Sequence, residues 1–303
     1  MKKEKKNLIR SRDDRIVDAV VWIISLLVLL AVLYPLIYIL SSSFSEPNEV
    51  ALGHVTLLPR GFTLEGYQYI LDYSDIWIGY RNTIFYTVVG TLLNLACTLP
   101  AAYALSRRDM FGNGFFTALF AVTMFFSGGL IPTYLVYKQL GIINTVWVML
   151  LPGLVTMWNT VVCRTYFSTS IPWELQEASK IDGCGDIRLF ASIILPLSAP
   201  IIAVMAMFYA VSHWNAYFNA MIYLSDKALY PLQLFLRSIL LLDTMNELIG
   251  ADAESQREIL RMAQLKESMK YGIIVVSALP MLVMYPFFQK YFVKGVMVGA
   301  IKG

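Results

Sequence analysis

Charged residues are scarce in this chain: Asp, Glu, Lys and Arg make up 15% of its 303 residues, while 57% are hydrophobic. A soluble globular domain carries about 25% charged residues. With a mean hydropathy of +0.60, the chain falls outside that class and reads as a polytopic membrane protein. Its net charge of +3 is too small to suggest a nucleic-acid partner. Only two histidines, His54 and His213, are present, and no Ser-His-Asp set can be assembled from them. Neither a G-x-x-x-x-G-K-S/T phosphate loop nor an H-E-x-x-H metal motif occurs, so the chain itself is not expected to be an enzyme. The three cysteines, Cys97, Cys163 and Cys184, lack metal-ligand spacing and read as reduced structural thiols, and no metal site is expected.

Long apolar runs are what the chain has in their place. A bilayer core of about 30 Å takes roughly 20 helical residues. Six runs serve as candidates: Ala19 to Leu40, Thr83 to Leu105, Phe115 to Val136, Val146 to Phe167, Ile193 to Ala210 and Tyr271 to Phe292. The first follows a basic start, yet it is too long for a signal-peptide core and lacks an A-x-A exit, so it is expected to be retained as a span. Ser127-Gly128-Gly129 and Pro132 interrupt the third. It is either a full span or one that ends near Phe126 and continues as a broken or re-entrant segment to Leu140, which is tolerated only where protein or water satisfies the backbone.

Lys and Arg in short flanks resist translocation and so report orientation. Lys2, Lys3, Lys5, Lys6, Arg10, Arg12 and Arg15 place the N-terminus in the cytoplasm. The loop from Ser41 to about Trp77 holds Glu46, Glu49, Glu65, Asp72 and Asp75 against Arg60 alone and is expected outside. Arg107 and Arg108 return the chain to the cytoplasm, and Lys290, Lys294 and Lys302 follow the last run. Both termini are then inside, which requires an even number of spans. The segment 225–270 falls outside by the same count. Leu248, Ile259, Met262 and Leu265 could give its second half one apolar face, as in an external helical cap.

Between the fourth and fifth runs lies a polar helix-turn. Ser170 can cap a helix with Pro172 in its first turn and Glu174 near the positive end of its dipole. The helix is expected from about Pro172 to Asp182, with Trp173 and Glu177 on one side. Gly183 can then leave the helix in a left-handed conformation, and Asp186 can cap the next turn before Pro196.

Glu177-Ala178-Ser179, Asp182-Gly183-Cys184 and Ile193-Ile194-Leu195-Pro196 resemble the E-A-A, D-G-A and I-x-L-P signature of the permease subunits of ATP-binding cassette importers. Ser179 and Cys184 replace Ala, small for small. Leu58 to Leu64, Ala101 to Arg108, His213-Trp214-Asn215 and the ending from Gln289 to Gly303 are similar to the carbohydrate-uptake, maltose-transporter-G-like branch, so the likeness covers nearly the whole chain. The resemblance implies an all-α integral membrane protein of the bacterial cytoplasmic membrane, of type I importer permease form. It would have about six transmembrane helices, a cytoplasmic segment 1–15, one transmembrane domain over 16–303, and external loops about 41–77 and 225–270. It implies a coupling helix at about 172–186 that docks on an ATPase through Glu177, Ala178, Ser179, Asp182, Gly183, Leu195 and Pro196, with Lys302 and Gly303 in a tail that reaches the same subunit. The implied partners are a second permease, two ATPase subunits that use ATP and Mg, and an extracytoplasmic solute-binding protein; this chain would bind no cofactor.

A sugar passage needs flat apolar faces and groups that replace water at hydroxyls. Trp214, Asn215 and Tyr217 near the outer end of the fifth run offer that mixture, and so do Trp158 and Asn159 on the fourth. Ionisable residues inside spans are few: Asp18, Arg164 and His213 make no acid or histidine relay of the kind a nucleotide-independent secondary transporter uses. A permease for a non-sugar solute would carry the same coupling motif, and only the flanking carbohydrate-like segments argue against it.

Overall fold

The computed structural model describes residues 12–241, 269–287 and 289, and all regular structure among them is helical. The helices of nine residues or more are α1 (Arg12–Ser43), α2 (Ser74–Ser106), α3 (Asn113–Phe125), α4 (Leu130–Gln139), α5 (Met157–Ser170), α6 (Trp173–Ile181), α7 (Ala199–Trp214), α8 (Leu232–Leu241) and α9 (Met269–Phe287). Among them α1, α2 and α9 are each long and apolar enough to cross a membrane, and two bent pairs raise the number to five.

The expected spans and the structure agree for the first two runs, whose helices continue through Pro35 and Pro100, and part at the third, fourth and fifth. α3 and α4 meet at 117°, so the third run makes no single straight crossing. The fourth run is not one helix. A short helix Trp147–Leu150 is followed by an irregular stretch, where Gly153 is left-handed (φ 72°), before α5 begins at Met157. Pro152 lacks an amide hydrogen and favours this stop. The fifth run bends by 83° between Asp186–Leu197 and α7, next to a π-helical turn at Phe190–Ile194 and between Pro196 and Pro200. The last expected span is a helix as far as Phe287. The C-terminal tail, with Lys302 and Gly303, and the expected external cap at 247–268 lie outside the described residues.

The chain divides into two compact units, Met1–Asp72 with Asp243–Val276, and Tyr73–Leu242 with Ser277–Gly303. In the first, the spanning part of α1 buries none of its residues within the protein. Its C-terminal end is held instead by polar bonds. Ser41 Oγ donates to Leu57 O (2.7 Å), Arg60 N donates to Ser45 Oγ (3.0 Å), and Tyr67 OH donates to Ser43 Oγ (2.9 Å). Phe44 stacks between Phe62 and Tyr67, so this loop is an ordered knot.

In the second unit α2 is the axle against which α5, α7 and α8 pack. Its apolar sequence is interrupted by polar residues that satisfy backbone elsewhere. Asn82 Nδ2 donates to Ala228 O (2.7 Å) and Tyr230 O (3.0 Å), Tyr86 OH donates to Leu229 O (2.8 Å), and Thr83 Oγ1 accepts from Leu232 N (2.8 Å). The start of the stretch read as an external loop is thereby strapped to α2. Further along, Asn94 Nδ2 donates to Gly153 O and Leu154 O (both 3.0 Å), supplying the partners that the broken fourth run needs in an apolar setting. Asn94 Oδ1 also pairs with His213 Nε2 at 2.7 Å. Gly90 makes room for that imidazole, since a Cβ there would overlap it.

Candidate functional site

The helix-turn that follows α5 is built on α6 and the short helix Asp186–Leu189. Pro172, not Ser170, occupies the N-cap position; Ser170 closes α5, because that helix continues up to the residue before the break at Ile171. Trp173 and Glu177 lie one turn apart, and the indole N–H donates to Glu177 Oε1 (2.8 Å). At the other end Gly183 N bonds to Lys180 O (3.0 Å) and Cys184 N to Ser179 O (2.9 Å), a Schellman pair closed by Gly183 at φ 74°. No atom lies within 4 Å of a Cβ built on Gly183, so glycine is required there for its backbone and not for space.

Two faces result. Gln176 and Ser179 are buried, with Ser179 Oγ bonded to Leu175 O (2.7 Å), so the small Ser179 serves the helix's own packing. Glu174, Glu177, Ala178, Asp182 and Gly183 are exposed, and Ile181 and Ile187 stand 86% and 85% exposed. Two bare isoleucines among exposed charges of both signs, Glu177 and Asp182 with Lys180 and Arg188, suit a partner surface better than water. Leu195 and Pro196 are elsewhere. They stand at the start of the 83° bend, Leu195 against the core and Pro196 exposed.

The exposed face is tied to the spans from beneath. Leu189 and Ile194 are fully buried in a cluster with Tyr103, Cys163, Phe167 and Met205, and Phe190 stacks on Tyr103 (5.1 Å). An ion network adds a second tie. Arg107, just past α2, grips Asp109 through Nε (2.9 Å) and Nη2 (2.7 Å), and its Nη1 donates to Asp186. Lys180 of α6 donates to the same Asp109. The Arg107 side chain is only 10% exposed. Hydrogen bonds from Arg107, then from Lys180, hold the Asp109 carboxyl well below the usual carboxylate range, while Arg107 is held above its ordinary value by its bond to Asp109 in spite of burial. Asp186 opens its short helix at the first position and makes no cap; its carboxylate is spent on Arg107. Arg164 Nε of α5 donates to Leu105 O (2.9 Å), and Arg108 lies over Trp173 at 5.9 Å, so the end of α2 meets both α5 and the start of α6.

In the sequence Arg107 reports orientation and belongs to the Ala101-to-Arg108 likeness, and neither reveals this clamp. The one local signal is an acid directly after a basic pair at a span end.

The candidate passage residues are placed unequally. Trp214 is 3% exposed, and its Nε1 donates to Ser277 O of α9 (2.9 Å), so it is a packed anchor in this conformation. Asn215 Nδ2 turns back to Val211 O (2.9 Å) at the end of α7. Tyr217 is exposed, with the Arg237 guanidinium 4.9 Å from its ring centre. Trp158 stands 62% exposed at the start of α5 with Asn159 half-buried beside it.

No family model matches the sequence. The chain is 37% identical to the polygalacturonan/rhamnogalacturonan transport system permease protein YtcP of Bacillus subtilis over 295 residues, covering 96% of this chain and 99% of the relative. It is 38% identical to the Protein LplC of Bacillus subtilis over 269 residues, 89% of each chain. The fold matches a chain in the crystal structure of a bacterial ABC transporter involved in the import of the acidic polysaccharide alginate, with a TM-score of 0.82 and 34% identity over 93% of this chain and 98% of that one.

Proposed function

We infer the function from one premise: the chain belongs to the permease subunits of carbohydrate-importing ATP-binding cassette transporters. It is an oligosaccharide importer permease and an integral protein of the cell membrane. Beyond that, we read it as one of two permeases that form the passage, served by an extracytoplasmic binding protein and driven by two ATPase subunits in which ATP and Mg are used. Six crossings with both termini inside fit the basic flanks if Trp147–Leu150 and α5 together make one interrupted crossing. Helix α6 then faces the cytoplasm as a coupling helix.

The observation that carries this reading is the two-faced helix-turn. Its outer face presents Glu177, Ala178, Ile181, Asp182 and Ile187 to a partner, and its inner face is buried and ion-paired to the axle of the spans. Rigid attachment is what transmission requires, because a docked helix that yields locally would move without moving the spans. On the far side, exposed Tyr217, Asn215 and Trp158 and half-buried Asn159 provide the rings and amides for saccharide passage, with Trp214 buried beside Asn215. Arg237 over Tyr217 places positive charge beside a stacking ring. That suits an acidic saccharide, in keeping with the polygalacturonan and alginate named for the relatives.

Glu177→Lys should abolish uptake in reconstituted vesicles while the permease remains folded and assembled with its second permease. Unchanged uptake would remove the coupling assignment. Mild-detergent extraction with mass spectrometry should recover an ATPase, a second permease and a sugar-binding protein. Recovery of the chain alone, after crosslinking, would overturn the reading.

A further inference from the structure

A cavity of about 620 Å³ opens where the end of α2, the end of α5 and the start of α6 meet. This volume falls in the range of small-molecule sites. Its wall carries three guanidinium groups, those of Arg107, Arg108 and Arg164. Arg107 is neutralised by Asp109 and Asp186, which leaves two. Arg164 spends its Nε on Leu105 O, and Arg108 lies over the Trp173 ring. One carboxylate, Glu174, lines the same space, so the wall keeps an excess of positive charge. The first turn of α6 adds amide hydrogens without intrahelical acceptors, which favours an anion there.

A second observation is independent of charge. Gln176 is 5% exposed, lines this cavity, and its Oε1 is buried with no hydrogen-bond partner. A buried amide left unpaired costs on the order of 1–3 kcal/mol, which a ligand hydroxyl would recover. A carboxamide can turn over and offer either end. The Glu174 carboxylate is a further acceptor for hydroxyl hydrogens.

We propose that this cavity binds a hydroxyl-bearing phosphate ester, its phosphate held by Arg108, Arg164 and the start of α6 and its hydroxyls by Gln176 and Glu174. The same chemistry comes from two sources, the glycerol headgroup of an anionic phospholipid or a soluble polyol phosphate. The site shares only Glu174 with the exposed face of α6, and its phosphate ligands Arg108 and Arg164 stand whether or not that face docks an ATPase.

The test uses the assembled transporter. Glycerol 3-phosphate binding is measured by calorimetry in detergent, and retained phosphatidylglycerol is measured by native mass spectrometry after reconstitution beside a phosphatidylcholine control. Calorimetric binding assigns the soluble source, selective lipid retention the headgroup, and either supports the site. Arg108→Gln should weaken the binding seen about tenfold, the loss of one charge-assisted bond, and Gln176→Leu several-fold. Arg108 is exposed, so its variant folds even if the second does not. Binding by neither probe, binding unchanged in Arg108→Gln, or an acidic ATPase side chain crosslinked within the cavity would overturn the proposal.

Discussion

Replacing Arg107 with glutamine isolates the clamp between the span end and the helix-turn. The substitution removes a bidentate grip on Asp109 and the bond to Asp186, and leaves both carboxylates facing a nearly buried position. Orphaning a fully buried charge costs about 3–5 kcal/mol. Here the side chains of Asp109 and Asp186 keep 34% and 68% exposure, so water takes up part of the loss. Lys180 also remains on Asp109, a surface pair worth at most about 1 kcal/mol. A net loss of about 2 kcal/mol follows, close to a 30-fold change in the opening equilibrium of the helix-turn. Hydrogen–deuterium exchange reads that equilibrium directly. Amides of residues 173–189 should exchange about 30-fold faster in Arg107→Gln, with those of α2 much less affected. Asp186→Asn alone should produce a smaller change, because the Asp109 grip survives. Exchange across 173–189 within twofold of the parent would refute the Arg107 clamp and leave the tie to the apolar cluster around Leu189 and the lesser contacts of Lys180 and Trp173.

Asn94→Leu should lower stability in detergent by about 2–3 kcal/mol, read from thermal unfolding, since it strips partners from Gly153 O and Leu154 O and from His213 in an apolar setting; an unchanged melting temperature would show that the break satisfies itself. Asp109 titrates below its ordinary value of about 4, so the stability it contributes is fully present above that pH and is lost as pH falls further toward the lowered value. The difference in melting temperature between the parent and Asp109→Asn should therefore be flat from pH 8 to 5 and shrink only below about pH 4. With Cys97 replaced by serine, a membrane-impermeant maleimide should label half-buried Cys184 in inside-out vesicles and spare it in right-side-out ones, while buried Cys163 stays unlabelled in both; the opposite sidedness would invert the topology.

Hydropathy located α1, α2 and α9 because a span is a composition property carried by neighbouring residues. It failed over 146–167, where the apolar run continues across Pro152 and Gly153 but the helix does not. The bonds that make the break tolerable come from Asn94, 59 and 60 residues away, and no local pattern reports them. Helix α6 and its turn were legible for the opposite reason: Trp173 with Glu177, and Gly183 with its Schellman bonds, are interactions within one or two turns. Its attachment was not, because Arg107 meets Asp186 across 79 residues and Lys180 meets Asp109 across 71. Trp214 shows a third limit. Type and position made it a candidate for stacking on a sugar, and only its bond to Ser277 shows that the ring is packed inside.

Helix α1 is a rod fastened at one end. It has 32 residues, hence a length of about 48 Å at 1.5 Å per residue, and its fastening is the serine knot at its C-terminal end. A tilt of about ten degrees at that knot sweeps the opposite tip through about 8 Å, a lever ratio fixed by the helical rise. Among the described residues, Tyr38 on the shaft meets Tyr271 edge-on at 5.7 Å, near the knot, so this ring contact acts with a short arm against a swing of the far tip.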